Sequence, residues 1–218
     1  MSQWSEYSIA RAIALQTLAR RCVVLVDNCG WTGHECDVLG VTTDLRIIDV
    51  EVKISRSDLK ADARKGKWWQ RHGSAHYELV DGKRTRIDAP RTARLHPPKV
   101  WKHYYALPAD IWKPELLDCL PSKASGVLLL RHGKDYTDLH HRPDVIVECA
   151  RRATPNKDAT RLTPAQAIDI ARLANLRMWE AYLRRDQVAG NRPVSSATAA
   201  TPGRIEPTAC ASSYGLRG

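Results

Sequence analysis

The chain has 218 residues, 43% of them hydrophobic, enough for one α/β domain with a sizeable core plus an extension. No apolar run approaches the roughly 20 residues of a membrane span, and the opening MSQWSEYSIARA lacks a signal-peptide core, so an intracellular protein without a membrane partner is expected. Thirty-four Lys and Arg against 24 Asp and Glu give a formal net charge of +10, an excess that argues for a polyanionic partner.

Residues 3–20 are predicted to form a helix, with Ile9, Ile13, Leu15 and Leu18 recurring at helical spacing, alanines at 10, 12, 14 and 19, and Arg20-Arg21 suiting its end. CVVLVD at 22–27 reads as a short buried strand. Residues 35–54 read as two strands around a turn at Thr42-Thr43-Asp44. Ser55 or Ser57 caps a helix predicted to run to about residue 71. Residues 72–99, rich in His, Pro, Arg and Gly, read as an inserted loop or hairpin. Strands follow at 100–107, 125–131 and 145–150. Thr163-Pro164 then opens a long amphipathic helix over 163–186. Residues 1–187 thus make one domain, and 188–218, dominated by Gly, Pro, Ser, Thr and Ala, are expected to be a disordered tail.

The most telling pattern lies in the hairpin. Asp37 projects from one face of the first strand, while Glu51 and Lys53 share a face of the second because side chains in a strand repeat every two residues. Ile47, Ile48, Val50, Val52 and Ile54 are too apolar for an exposed edge, so these charges sit in a buried element, where they need pairing or a metal. If the strands pair, the three converge. Two carboxylates suit a hard cation such as Mg²⁺, leaving room for a phosphate oxygen and a water. A lysine two residues on orients or deprotonates that water, or offsets charge building on phosphorus. Glu35 and Asp49 share faces with Asp37 and Glu51 and are alternative carboxylates.

This Asp-x13-Glu-x-Lys arrangement resembles the PD-(D/E)xK nuclease superfamily, with Cys36 where the nominal proline would stand. Within it, Glu51, Lys53, Ser55, Asp58, Leu59, Asp62, Lys67 and Trp68, then Tyr105-Ala106-Leu107-Pro108 and Gly126, are similar to the motif run of the MmcB-like group of bacterial DNA repair proteins. Extra residues between Asp62 and Lys67, the length of 72–99 and the tail depart from that pattern. The resemblance implies an α/β restriction-endonuclease-like core, a mixed sheet flanked by helices, with a C-terminal helix. It implies a Mg²⁺- or Mn²⁺-dependent nuclease with Asp37, Glu51 and the Val52 carbonyl on the metal, Lys53 assisting the water and Glu6 auxiliary. DNA repair, recombination or phage DNA processing in a bacterial or phage-infected host cytoplasm would be its setting. A nucleic-acid-binding or inhibitory protein without turnover is the alternative, and a dimer is compatible with either.

Lys60, Arg64, Lys65, Lys67 and Arg71 surround Trp68 and Trp69, a combination that grips phosphates and stacks a base; Trp68 is expected in the core and Trp69 nearer the surface. Cysteines at 22, 29, 36, 119, 149 and 210 form no C-x-x-C pair and are expected as reduced thiols, and His34 beside Cys36 is a weak zinc signal on its own.

Overall fold

A computed structural model of the chain describes residues 4–133 and 145–190. Helix α1 (Glu6–Ile13) begins at Ser5, whose hydroxyl accepts the Ser8 N–H while Ser8 Oγ accepts the Ser5 N–H, a reciprocal cap. It runs on as a π-helical turn to Leu18. Strands β1 (Cys22–Cys29), β2 (Cys36–Thr42) and β3 (Ile47–Val52) form an antiparallel meander. After the short helix α2 (Arg56–Ala61) come β4 (Trp69–Arg71), β5 (His76–Val80), β6 (Lys83–Ile87) and β7 (Arg91–Ala93). The chain then returns as β8 (Val100–Pro108), β9 (Gly126–His132), β10 (Val145–Arg151) and α3 (Pro164–Gly190).

The main sheet is mixed, in the order β1-β2-β3-β8-β9-β10, with β3, β8 and β9 parallel and the remaining neighbours antiparallel. Strand alternation sorts its side chains into two layers. On one side Val38, Ile48, Val50, Val52, Ala106, Leu128 and Leu130 pack under Ile9, Ala12, Ile13 and Leu18. On the other, Tyr105, Leu107, Val127 and Leu129 pack under Leu59 and Trp68, and Leu39, Val41 and Ile47 under Leu162, just before α3, and Ile170 within it. Gly126 opens β9 because a Cβ there would lie 2.4 Å from ring atoms of Tyr104 on the neighbouring strand.

The helix expected over 57–71 is shorter. Ser55 caps it as anticipated, accepting the Asp58 N–H at 3.1 Å, but α2 stops at Ala61. Two 3₁₀ turns, Asp62–Arg64 and Gly66–Trp68, flank an extended Lys65. Gly66 is a poor helix former, and Asp62 gathers donors that a continuous helix would separate: Trp68 Nε1 at 2.9 Å and the Tyr105 hydroxyl at 2.6 Å. Satisfying a buried carboxylate outweighs local propensity here. Trp68 is buried and Trp69 half-buried, as the adjacent pair suggests. The 72–99 stretch holds the exposed β5–β6 hairpin above a two-stranded β4–β7 neck. Helix α3, capped at Thr163, runs three residues into the expected tail, which from residue 191 lies outside the described residues. Cysteines 22, 29, 36, 119 and 149 are free thiols.

Candidate metal and phosphate centre

Central strand β3 carries the site. Asp49 and Glu51 point away from α1 and are fully buried, and Lys53 just beyond is 2% exposed. The register Leu39–Asp49, Val38–Val50 brings Asp37 to the end of β3, where its carboxylate accepts the Val52 N–H next to Glu51. Parallel pairing with β8 sets His103 beside Asp49 and Tyr105 beside Glu51. The 62–68 segment folds over this row as a roof.

Glu51 meets three ammonium groups: Lys53 at 3.2 Å, Lys65 at 3.0 Å and Lys67 in a short contact to its other oxygen. Asp62 shares them, with Lys53 at 3.2 Å and Lys65 at 3.0 Å, in addition to its Trp68 and Tyr105 bonds. A buried ion costs several kcal/mol unless it is surrounded in this way. Burial works against ionising Glu51 and is the largest influence, but the surrounding ammonium groups, Lys67 foremost, together outweigh it and hold the carboxyl below its ordinary range. Asp62 is likewise lowered, burial being outweighed by Lys67 and Lys53. Burial opposes the charge on Lys53 as well, yet Asp62 and Glu51 raise its pKa.

Asp37 differs. Its Oδ2 accepts the Val52 N–H at 2.6 Å, but burial and then the neighbouring Glu51 charge raise its pKa to about 6. It is a carboxylate short of positive charge. Asp49 Oδ2 lies 3.0 Å from His34 Nε2, while its buried Oδ1 has no hydrogen-bond partner among the described residues. One oxygen or nitrogen each from Asp49, Glu51 and His103 lie within 4.8 Å of one another, a buried acidic and imidazole cluster that can hold a metal ion. Beside the roof a cleft of about 480 Å³ is lined by Thr32, His34, Lys65, Lys67, Trp69 and Arg94 among others.

No protein-family model matches the chain, and no curated protein does. Among solved structures it is similar to a protein of unknown function from Silicibacter pomeroyi, at 19% identity and a TM-score of 0.44, over 86% of this chain and 94% of that one. No helix among the described residues is long and apolar enough to cross a membrane.

Asp37, Glu51 and Lys53 therefore come together as their spacing suggests, with the Val52 backbone between them. Glu6 does not join them: it is exposed in the first turn of α1, the helix that covers the opposite face of the sheet. Lys60, Arg64 and Arg71 are exposed, and Trp69 lies under the Arg91 guanidinium, 4.4 Å from its ring centre. Lys67 is corrected: it is 6% exposed and spent on Glu51, because the broken helix turns it inward rather than onto a surface that grips phosphate. Lys65, also expected to contact nucleic acid, bridges Glu51 and Asp62 with half its side chain open. Asp62, on the segment after α2, supports Lys53 and pairs with Lys65, whereas His103 was not expected at the site. His103 alternates with Tyr105 along β8, a signal that gains meaning only once β8 is known to lie beside β3.

Proposed function

We propose that the chain is a Mg²⁺- or Mn²⁺-dependent deoxyribonuclease of the PD-(D/E)xK kind on a restriction-endonuclease-like sheet, nearest in motif to MmcB-like DNA repair proteins and acting in repair, recombination or phage DNA processing. The observation that carries this reading is the Asp37 carboxylate held on the Val52 N–H beside Glu51, with the Lys53 ammonium 3.2 Å from Glu51. The donor set is hard oxygen, and Asp37 lacks the positive charge that Glu51 and Asp62 already have, so the residues fit a hard divalent cation. Asp37 and Glu51, with the Val52 carbonyl, would hold it. Bound there, such an ion supplies Lewis acidity toward a phosphate oxygen and acidifies the attacking water.

Lys53 is the chain's own contribution to the transition state. Asp62 and Glu51 keep it protonated despite burial, so it acts as a fixed positive charge against the developing phosphorane rather than as a base. Asp62 positions it, itself fixed by Trp68 and Tyr105. Lys65, half exposed at the cleft, is free to swing from Glu51 to an incoming phosphate.

One observation favours a second reading, a nucleic-acid-binding protein without turnover. Three lysines already neutralise Glu51, which is what a purely structural carboxylate would need. One experiment separates the two. Labelled linear, circular and branched DNA is incubated with the protein, with and without Mn²⁺. Metal-dependent cleavage that is lost in Asp37→Asn and Glu51→Gln is expected, and cleavage at the wild-type rate by Glu51→Gln would sink the assignment.

A further inference from the structure

A second cluster lies one step along β3 from Glu51, on the Asp49 side. His34 Nε2 is 3.0 Å from Asp49 Oδ2 and 3.7 Å from Cys36 Sγ. All three donor atoms lie within 4.8 Å of one another. A tetrahedral zinc ion with its usual bond lengths sets nitrogen and sulfur ligands about 3.6 Å apart and nitrogen and oxygen ligands about 3.3 Å apart. The observed separations sit close to both.

Proton positions sharpen the case. Thr32 Oγ1 donates to the His34 carbonyl at 2.8 Å, so its lone pair is what His34 Nδ1 meets at 3.2 Å. On that assignment Nδ1 carries the hydrogen and Nε2 is bare. A bare nitrogen and a carboxylate oxygen 3.0 Å apart repel each other unless a proton or a cation lies between them. A hydroxyl holding Nδ1 so that Nε2 faces inward is also how metal-ligating histidines are oriented. Asp49 is a fully buried carboxylate short of partners, with Oδ2 facing His34 and Oδ1 unpartnered among the described residues. The plain alternative is a protonated His34 paired with Asp49, with Cys36 a buried thiol packed beside Cys29 and Leu39.

We propose that His34, Cys36 and Asp49 form a zinc site, distinct from the oxygen-donor site of Asp37 and Glu51. Thiolate and imidazole select a softer ion than the carboxylate pair does. The fourth position is left to water. Binding expels the Cys36 proton and any proton shared by His34 and Asp49. Because Thr32 and His34 line the cleft, the ion clamps the β1–β2 connection to β3 and fixes one wall of that cleft.

The test needs metal alone and no DNA, so its outcome is independent of nuclease activity. The untagged full-length protein is equilibrated with Zn²⁺ and dialysed, and its metal content is measured; one zinc per chain is expected. Co²⁺ in its place should give a sulfur-to-metal charge-transfer absorption. Cys36→Ser and His34→Ala should each weaken zinc binding by more than the roughly 10- to 100-fold that loss of a supporting partner costs. Glu51→Gln should retain the ion. His34→Ala guards against a misfolded Cys36 variant, since His34 reaches the surface and Cys36 stays in place. Failure of the wild-type protein to retain zinc, or an unchanged cobalt band in His34→Ala, overturns the proposal.

Discussion

Lys67→Met tests the buried network most directly. Methionine keeps the apolar stem of the lysine as far as Cε and removes the ammonium group. Lys67 and Glu51 side chains are each 1% exposed, so water cannot stand in for the missing ammonium. Removing one partner of such a pair costs about 3–5 kcal/mol. Glu51 keeps Lys53 and Lys65, which places the loss at the lower end, about 3 kcal/mol. For a chain of this size that corresponds to a fall in Tm of about 6–12 °C. Lys65→Met, with 49% of its side chain exposed, should cost under about 1 kcal/mol despite touching the same carboxylates. Urea unfolding at neutral pH followed by tryptophan fluorescence measures both. The double variant Lys67→Met/Glu51→Gln should recover part of the loss, because no uncompensated carboxylate remains. Equal losses from Lys67→Met and Lys65→Met, or a double variant that is simply additive, would refute the ordering drawn from burial.

Asp37→Asn should stabilise the metal-free protein above pH 6. Its folded pKa of about 6 lies above the unfolded value, so the ionised form carries a penalty that is complete above pH 6 and vanishes as pH falls toward 4. Unfolding free energies at pH 4 and 8 check this, and a variant no more stable than wild type at pH 8 contradicts it. Adding Mn²⁺ should reverse the sign by stabilising only the wild type. If DNA tracks over the roof, replacing exposed Lys60, Arg64 and Arg71 together should lower the slope of log affinity against log salt by about 0.9 for each phosphate no longer neutralised. An unchanged slope moves the DNA path away from this segment, to surfaces such as the Lys83, Arg84 and Arg86 side of the β5–β6 hairpin.

The hairpin could be read from sequence because its alternation is strict and both strands are short, local and joined by a tight turn. Asp37, Glu51 and Lys53 followed from period two alone. The roof could not be read in that way. Lys60, Arg64, Lys67 and Arg71 repeat at helical spacing, and nothing local shows that Asp62 will collect Trp68, Tyr105 and two lysines and so break the helix at Gly66. That outcome depends on β8 arriving beside β3 from far along the chain. Glu6 failed for a related reason. Its place in the first turn of a helix is legible, but the face of the sheet that helix covers is decided by which side Val50 and Val52 present. Thr32, His34 and Cys36 alternate in sequence, a pattern that was available and drew meaning only from Asp49 across the strand pair.

The β4–β7 neck makes the 72–90 segment an exchangeable appendage. Trp69 pairs with Ala93 and Arg71 with Arg91, so the two ends of the excursion are held together before the hairpin begins. What lies beyond can lengthen or shrink with little thermodynamic consequence, since each doubling of a flexible loop adds only about 0.6 kcal/mol of closure entropy. The residues that surround Glu51 all precede the neck or belong to the sheet. Changes in this segment can therefore reshape the exposed surface while the buried network around Glu51 stays intact, as a tool-holder keeps its chuck when the bit is changed.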